Sequence, residues 1–91
     1  MGPNAAFPHH QTGGRLLGEG DVAVADIGVR KGTSRSDILR MAVVGHKPDG
    51  YDKIRAIVEH AARAALDVVR PGAGAQEVDS AARGVIAEAG L

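Results

Sequence analysis

Two aspartates, Asp26 and Asp37, border otherwise apolar segments and have ten residues between them. A short connection containing Lys31 and Gly32 separates the segments, which predicts an antiparallel hairpin. With the turn centred between Lys31 and Gly32, opposite residues have numbers that sum to 63, so Asp26 would face Asp37. Directly opposed carboxylates repel each other, and a divalent cation or a shared proton is the usual compensation. Their oxygens are therefore candidate ligands for a hard metal ion.

Each aspartate also has an ordinary interpretation. Asp26 could hydrogen-bond the turn before Gly28, as aspartates at strand ends often do. Asp37 could form a surface ion pair with Arg35 or Arg40. Spacing alone leaves these roles and metal binding open.

The four histidines carry a weaker signal. His9 and His10 lie on an irregular segment, where solvated surface histidines are common. His46 is predicted in a turn and His60 on a helix, and neither is assigned a functional role. Only His9 is taken further below.

The composition restricts the class of protein. The 91 residues fit one small domain or part of a larger one. Lys+Arg and Asp+Glu both number 11, so no net charge favours binding to nucleic acid or an anionic membrane. No apolar run approaches the roughly 20 residues that span a bilayer. With no cysteine to form a disulfide, a zinc thiolate site or a thiol nucleophile, we expect a soluble, cytoplasmic protein.

The elements that would position these residues follow in a simple order. Proline and glycine mark residues 1–20 as an irregular lead-in, and the hairpin occupies 21–45. Apolar periodicity predicts helices over about 51–69 and 76–89. The expected fold class is α+β, an antiparallel hairpin or sheet packed with two helices. The apolar positions of the first helix are Tyr51, Ile54, Val58, Ala61, Ala65 and Val69, and those of the second are Val78, Ala82, Val85, Ile86 and Ala89.

Several short segments occur together in one order: "GPNAAFPHH", "GDVAVADIG", "SDILR", "VVG", "RPG" and "EVDSAARGVIAEAG". In these segments the chain resembles the creatinase, prolidase and aminopeptidase P superfamily of pita-bread hydrolases over nearly its whole length. The resemblance implies that residues 1–91 are an incomplete catalytic domain with a partial pita-bread fold. It also implies that Asp26 and Asp37 are the first two ligands of a centre holding two Mn, Co, Zn or Fe ions. His9, after proline, would contact the substrate.

The chain departs from the family pattern in two ways. Ser34 or Arg35 replaces an aromatic residue before the second Asp, and Leu39 replaces a Thr after it, which removes a hydroxyl that could support a metal ligand. Arg40 follows the pattern and would either support a carboxylate or be a plain surface arginine. The segment that carries the family's later His and two Glu ligands has no counterpart in these 91 residues. Three glutamates fall on the predicted helices and are no evident substitutes: Glu59, Glu77 and Glu88.

The resemblance leads to a functional hypothesis and to alternatives. We expect a fragment of a metal-dependent Xaa-Pro aminopeptidase or dipeptidase, which cleaves peptide bonds near the N-terminus, often before proline. The isolated chain would bind metal weakly and lack activity. A peptide is the expected partner, and a homodimer is left open. The alternatives are a non-catalytic remnant that acts as a binding or interaction module, and a metal-free hydrolase like creatinase, against which the retention of both acids argues.

Overall fold

The computed structural model describes residues 2–11 and 13–91, so positions 1 and 12 of the predicted lead-in lie outside the described residues. The chain divides into two compact units, Met1–Pro48 and Asp49–Leu91. The elements of the first unit are a 3-10 helix at Gly2–Ala6 and four strands, β1 (Val22–Ile27), β2 (Arg30–Lys31), β3 (Ser34–Arg35) and β4 (Ile38–Val43). The second unit contains α1 (Tyr51–Asp67) and α2 (Ala75–Glu88). The predicted α+β class is confirmed.

The hairpin is antiparallel, but its register differs from the predicted one. β1 pairs with β4 and β2 pairs with β3, and opposite residues in both pairs have numbers that sum to 65. The two-residue turn is therefore Gly32–Thr33, one position later than predicted. Gly32 has a φ of +61°, and no described non-glycine residue has a positive φ. A positive φ at the first central residue alone is typical of a type II′ turn, whose twist matches that of the flanking strands.

A local irregularity separates the two short sheets while the register continues through it. The Ser36 amide donates to the Val29 carbonyl at 2.9 Å, as a regular ladder requires. In return, the Val29 amide donates to the Ser36 hydroxyl at 3.1 Å rather than to a backbone carbonyl. A Cβ on Gly28 would lie 3.0 Å from the Ser36 carbonyl oxygen, so the two backbones approach closely here. The serine side chain thus replaces one ladder acceptor.

The helical unit consists of α1 packed against α2. α1 ends at Asp67, two residues before the predicted end. This agrees with the restriction that Pro71 places on Arg70, because the residue before a proline disfavours the helical region. α2 spans Ala75–Glu88, close to the predicted range. Among the described residues, neither helix has the length and apolar character needed to cross a membrane.

The apolar residues of α1 form two stripes rather than the single predicted one. Ala61 is 3% exposed, and the half-buried residues on its side of the helix are Ile57, Ala64, Ala65 and Val68. A second stripe stays exposed and includes Leu66 at 69%, together with Ile54, Val58 and Val69. The stripe predicted from the sequence combined residues of the buried stripe, such as Ala61, with residues of the exposed one, such as Val58. On α2 the predicted positions are all half-buried, as expected for the face that covers α1.

Candidate functional site

Asp26 and Asp37 share one face of the hairpin but are not directly opposite. Asp26, near the end of β1, pairs with Leu39. Asp37 precedes β4, and the continuing register places it opposite Gly28. Because side chains alternate between the faces of a strand, Leu39 and Asp37 lie on the Asp26 face, with Asp37 diagonal to Asp26. Diagonal neighbours are about 7–8 Å apart rather than the 4.5–5.5 Å of a direct pair.

The predicted face-to-face contact was therefore wrong, and the repulsion is weaker than expected. Both aspartates are also exposed, so water screens their charges. The cause is the turn centre: moving it by one residue moves every cross-strand partner by two. A shift of two preserves the face, and the two acids remain neighbours on one surface.

The ordinary roles considered for the two aspartates are not observed. Within residues 2–11 and 13–91, neither carboxylate has a hydrogen-bond or ion-pair partner. Arg40 donates from Nη1 to the Leu39 carbonyl at 2.8 Å and does not support either acid. Arg40 pairs with Ala25, which places it on the hairpin face opposite Asp26. Both carboxylates are consequently available to a ligand from outside the chain.

His9 lies in an exposed turn that follows the 3-10 helix. The His10 amide donates to the Phe7 carbonyl at 3.3 Å, and the rings of Phe7 and His10 are tilted, with centroids 6.2 Å apart. In the part of the chain that the structure describes, no three His, Cys, Asp or Glu residues come together as a possible metal site. The hairpin thus joins Asp26 and Asp37, and His9 does not complete a three-ligand group with them.

An ion pair that was not predicted from the sequence anchors the lead-in to the start of β1. Arg15 donates to both carboxylate oxygens of Asp21, at 2.7 and 2.9 Å, and the Gly18 amide donates to the same carboxylate at 2.8 Å. The Asp21 side chain is 13% exposed. The Arg15 contact, and then the Gly18 amide, lower the pKa of Asp21 to about 2, while partial burial opposes this shift. The segment "GEGD" was the available signal, since aspartate commonly caps such turns.

Gly2 packs closely against the Arg15–Asp21 ion pair. A Cβ at Gly2 would lie 2.7 Å from Asp21 Oδ1 and 2.8 Å from the Arg15 guanidinium nitrogens. The 3-10 helix that begins at Gly2 also contacts β1. The Arg15–Asp21 pair therefore holds the lead-in, with His9 in it, against the first strand.

A second contact connects the residues just before β1 with those just after β4, at the end of the hairpin away from the turn. His46 Nδ1 lies 2.9 Å from Glu19 Oε2, and backbone hydrogen bonds connect Gly20 and Asp21 with Val44. A Cβ at Gly45 would lie 2.6 Å from the Glu19 carboxyl group. His46, predicted to have no functional role, has a structural partner here, and the pairing of β1 with β4 is extended by one position.

The hairpin tip, residues 30–35, carries positive charge next to the acids. Arg30 pairs directly with Arg35, so both side chains lie on one face of the tip. Arg30 donates from Nε to the Gly32 carbonyl at 2.8 Å. Lys31 pairs with Ser34 on the opposite face. The sequence offered no sign that the two arginines meet, because the predicted register placed different residues opposite each other.

The antiparallel hairpin, with both aspartates on one face, and the pair of helices that follows it occur in the order expected of a partial pita-bread fold. The chain belongs to metallopeptidase family M24, whose model matches residues 1–91. This confirms the resemblance drawn from the short motifs.

Similar proteins are peptidases by name. The "Probable dipeptidase PepE" of Mycobacterium tuberculosis is 43% identical over 91 residues, which cover 99% of this chain and 24% of that protein. The Xaa-Pro dipeptidase of Pyrococcus horikoshii is 37% identical over 89 residues, 98% of this chain and 25% of its own length. The crystal structure of a Thermococcus sibiricus prolidase superposes with a TM-score of 0.88 at 38% identity and covers 98% of this chain and 24% of that one. The chain thus spans about a quarter of each of these relatives.

Proposed function

We propose that this chain is the N-terminal part of the catalytic domain of a cytoplasmic, metal-dependent peptidase that cleaves near the N-terminus of peptides, often before proline. Asp26 and Asp37 are the first two metal ligands in this proposal, and His9 contacts the substrate. The observation that carries it is the availability of both carboxylates on one hairpin face, in a chain of family M24. The names of its relatives support the choice of substrate class.

The donor set fits part of such a metal centre. Carboxylate oxygens suit hard divalent ions such as Mn, and related sites accept Co, Zn or Fe when imidazole also takes part. When bound, two such ions supply an activated water and polarise the carbonyl that is attacked. The chain's own contribution is to hold Asp26 and Asp37 on one face and to anchor the lead-in with His9 through Arg15 and Asp21.

Two carboxylates are too few to complete the centre. On the helices, Glu59 pairs with Arg63 at 2.9 Å and Glu77 with Arg70 at 2.8 Å, and no described group of three His, Cys, Asp or Glu residues forms a possible metal site. We therefore expect the 91-residue chain alone to bind divalent ions weakly and to hydrolyse no peptide. Turnover of a proline dipeptide by this chain with Mn²⁺ or Co²⁺ would contradict that expectation.

Metal binding is tested by NMR with Mn²⁺, which broadens the signals of nearby amides. We expect broadening centred on residues 26 and 37, and its loss in Asp26→Asn and in Asp37→Asn. Asp67→Asn removes an exposed acid from the end of α1 and serves as the matched control. Broadening that survives both hairpin substitutions, or that Asp67→Asn removes equally, would refute the assignment of ligands.

A second candidate function is a non-catalytic module that binds another chain, including a second copy of itself. The large apolar side chains exposed in both units favour it, among them Leu16 at 87% and Leu66 at 69%. Size-exclusion chromatography with metal analysis separates the two candidates. A dimer that holds no metal supports the module, and a stoichiometric divalent ion supports the peptidase segment.

A further inference from the structure

We infer that Arg30 and Arg35 form a subsite for a carboxylate of the peptide, next to Asp26 and Asp37. The inference rests on the proposed function, since it assigns part of the substrate to this face of the hairpin. The ligand group is either the terminal carboxylate of a dipeptide or the side-chain carboxylate of an acidic residue.

The register places the two arginines on the same face as the two acids. Opposite residues have numbers that sum to 65 in β1–β4 and in β2–β3, and the Ser36–Val29 hydrogen bond continues the ladder between them. Arg35 precedes Asp37 by two residues, about 6–7 Å along an extended chain. Arg30 and Asp26, four residues apart, share this face by the same alternation.

The electrostatics of the tip favour an anion. Directly opposed like charges destabilise a strand pair, and Arg30 faces Arg35 across the tip. Arg30 is held toward the turn by its Nε contact with the Gly32 carbonyl. In residues 2–11 and 13–91, neither the terminal nitrogens of Arg30 nor the guanidinium of Arg35 has an acidic partner. An added carboxylate would relieve the repulsion between the two groups.

A carboxylate is the matching ligand by shape and by position. The planar guanidinium group presents paired N–H donors that fit the two oxygens of a carboxylate. In a dipeptide, the terminal carboxyl carbon lies at most about 4 Å from the preceding carbonyl carbon. A peptide whose scissile bond lies beside Asp26 and Asp37 therefore has that carboxylate within reach of a long arginine side chain.

The test is an NMR titration of the 91-residue chain in the absence of metal with three probes: Gly-Pro, Gly-Pro amide and Glu-Pro amide. We expect Gly-Pro to shift the amides of residues 30–37 and to bind about 5-fold more tightly than its amide, the scale of an exposed ion pair. Arg35→Ala should abolish this preference. Arg35→Lys keeps the positive charge but loses the paired N–H donors of the guanidinium group, and should retain only part of the preference for Gly-Pro.

Control variants distinguish this subsite from nonspecific attraction between the peptide and any surface arginine. Arg55→Ala removes an exposed arginine from α1 and should leave the preference unchanged. Arg35→Ala removes a like-charge contact, so the hairpin should keep its native spectrum.

Equal binding of Gly-Pro and both amides, or equal effects of Arg35→Ala and Arg55→Ala, would overturn the subsite. Tighter binding of Glu-Pro amide alone would support it and assign the acidic side chain as the ligand. Mn²⁺ broadening at Asp26 and Asp37, measured separately, reports on the proposed function itself.

Discussion

At the level of single residues, the proposal of metal binding rests on the availability of Asp26 and Asp37 rather than on repulsion between them. Both are exposed, and solvent screens the charge that each carries. Neither is bound by an arginine or by the turn, within the described part of the chain. The carboxylates can therefore take a ligand without first losing a partner.

Asp21 has a structural role, and its pKa predicts that the stability of the folded chain depends on pH. The pKa of Asp21 is lowered from 3.8 to about 2, so the ionised group stabilises the folded state above pH 3.8. This contribution is lost as the pH falls through 2. We expect the difference in melting temperature between the native chain and Asp21→Asn to be constant from pH 7 to 5 and to shrink toward pH 2.

The comparison with Asp21→Asn removes the background from the other acids, which titrate in both proteins. Amide hydrogen exchange in residues 2–11 gives a second measurement, because the lead-in should exchange faster in the variant. An equal difference in melting temperature at pH 2 and pH 6 would show that the Arg15–Asp21 pair does not hold the folded lead-in.

At the level of elements, the hairpin was predictable in kind but not in register. Two apolar segments joined by a short connection with a central glycine indicated two antiparallel strands, and both are present. The pattern did not distinguish a turn centred on Lys31–Gly32 from one at Gly32–Thr33, because both place glycine in the loop. The face of the two acids was correct because the resulting shift was even. The irregularity at Val29 and Ser36 could not be predicted from the hydrophobic pattern, because it depends on a hydrogen bond to the Ser36 side chain.

Helix positions were predicted more closely than the buried face of α1. Every fourth residue of α1 is apolar along two lines, so the sequence alone offered two candidate faces. The structure buries the line through Ala61, where a small residue allows close approach to α2. Packing against α2, rather than the amphipathicity of α1, therefore determines which of the two faces is buried.

Gly28 is predicted to be intolerant of a side chain. A Cβ there would lie 3.0 Å from the Ser36 carbonyl oxygen, a backbone atom that moves only with the strand. We expect Gly28→Ala to lower the free energy of unfolding by about 1 kcal/mol or more. Gly14→Ala, where no atom lies within 4 Å of the new Cβ, is the control and should have little effect in the same urea titration. Equal stability of the two variants would contradict the close approach.

Ala61 is predicted to be the most sensitive position of the helical pair. It is 3% exposed, and an aspartate there would be buried without a partner. Ala61→Asp should cost about 2–4 kcal/mol and reduce the helical signal in circular dichroism. The adjacent Ala62→Asp is exposed and should cost only the difference in helix propensity, about 0.5–0.7 kcal/mol. Similar losses in both variants would mean that α1 does not meet α2 at Ala61.

For the molecule as a whole, few hydrophobic residues are buried and many are exposed. Ala61 is the single buried hydrophobic residue among those described, whereas 13 large hydrophobic residues are exposed. Small domains have a narrow stability margin even with a well-formed core. Exposed apolar surface of this extent is typical of proteins that contact another chain or another domain.

The exposed stripe of α1 predicts that the chain associates with itself as its concentration rises. The stripe comprises Ile54, Val58 and Leu66, and Val69 lies just beyond the end of the helix. We expect the double variant Val58→Glu, Leu66→Glu to lower the apparent mass in sedimentation velocity and to reduce binding of a hydrophobic dye. Lys53→Glu, on a polar position of the same helix, should change neither measurement. A native chain that stays monomeric and binds no dye would contradict this prediction.

The turn at Gly32–Thr33 also determines which changes of loop length the hairpin can accept. Two residues inserted symmetrically at the turn lengthen both arms and leave Asp26 and Asp37 on a common face. A single deletion between Asp26 and Gly28 rotates one carboxylate to the reverse side, because side chains alternate along a strand. If the two aspartates bind metal as proposed, natural variants of this segment should differ in length at the turn and not in the residues immediately after Asp26.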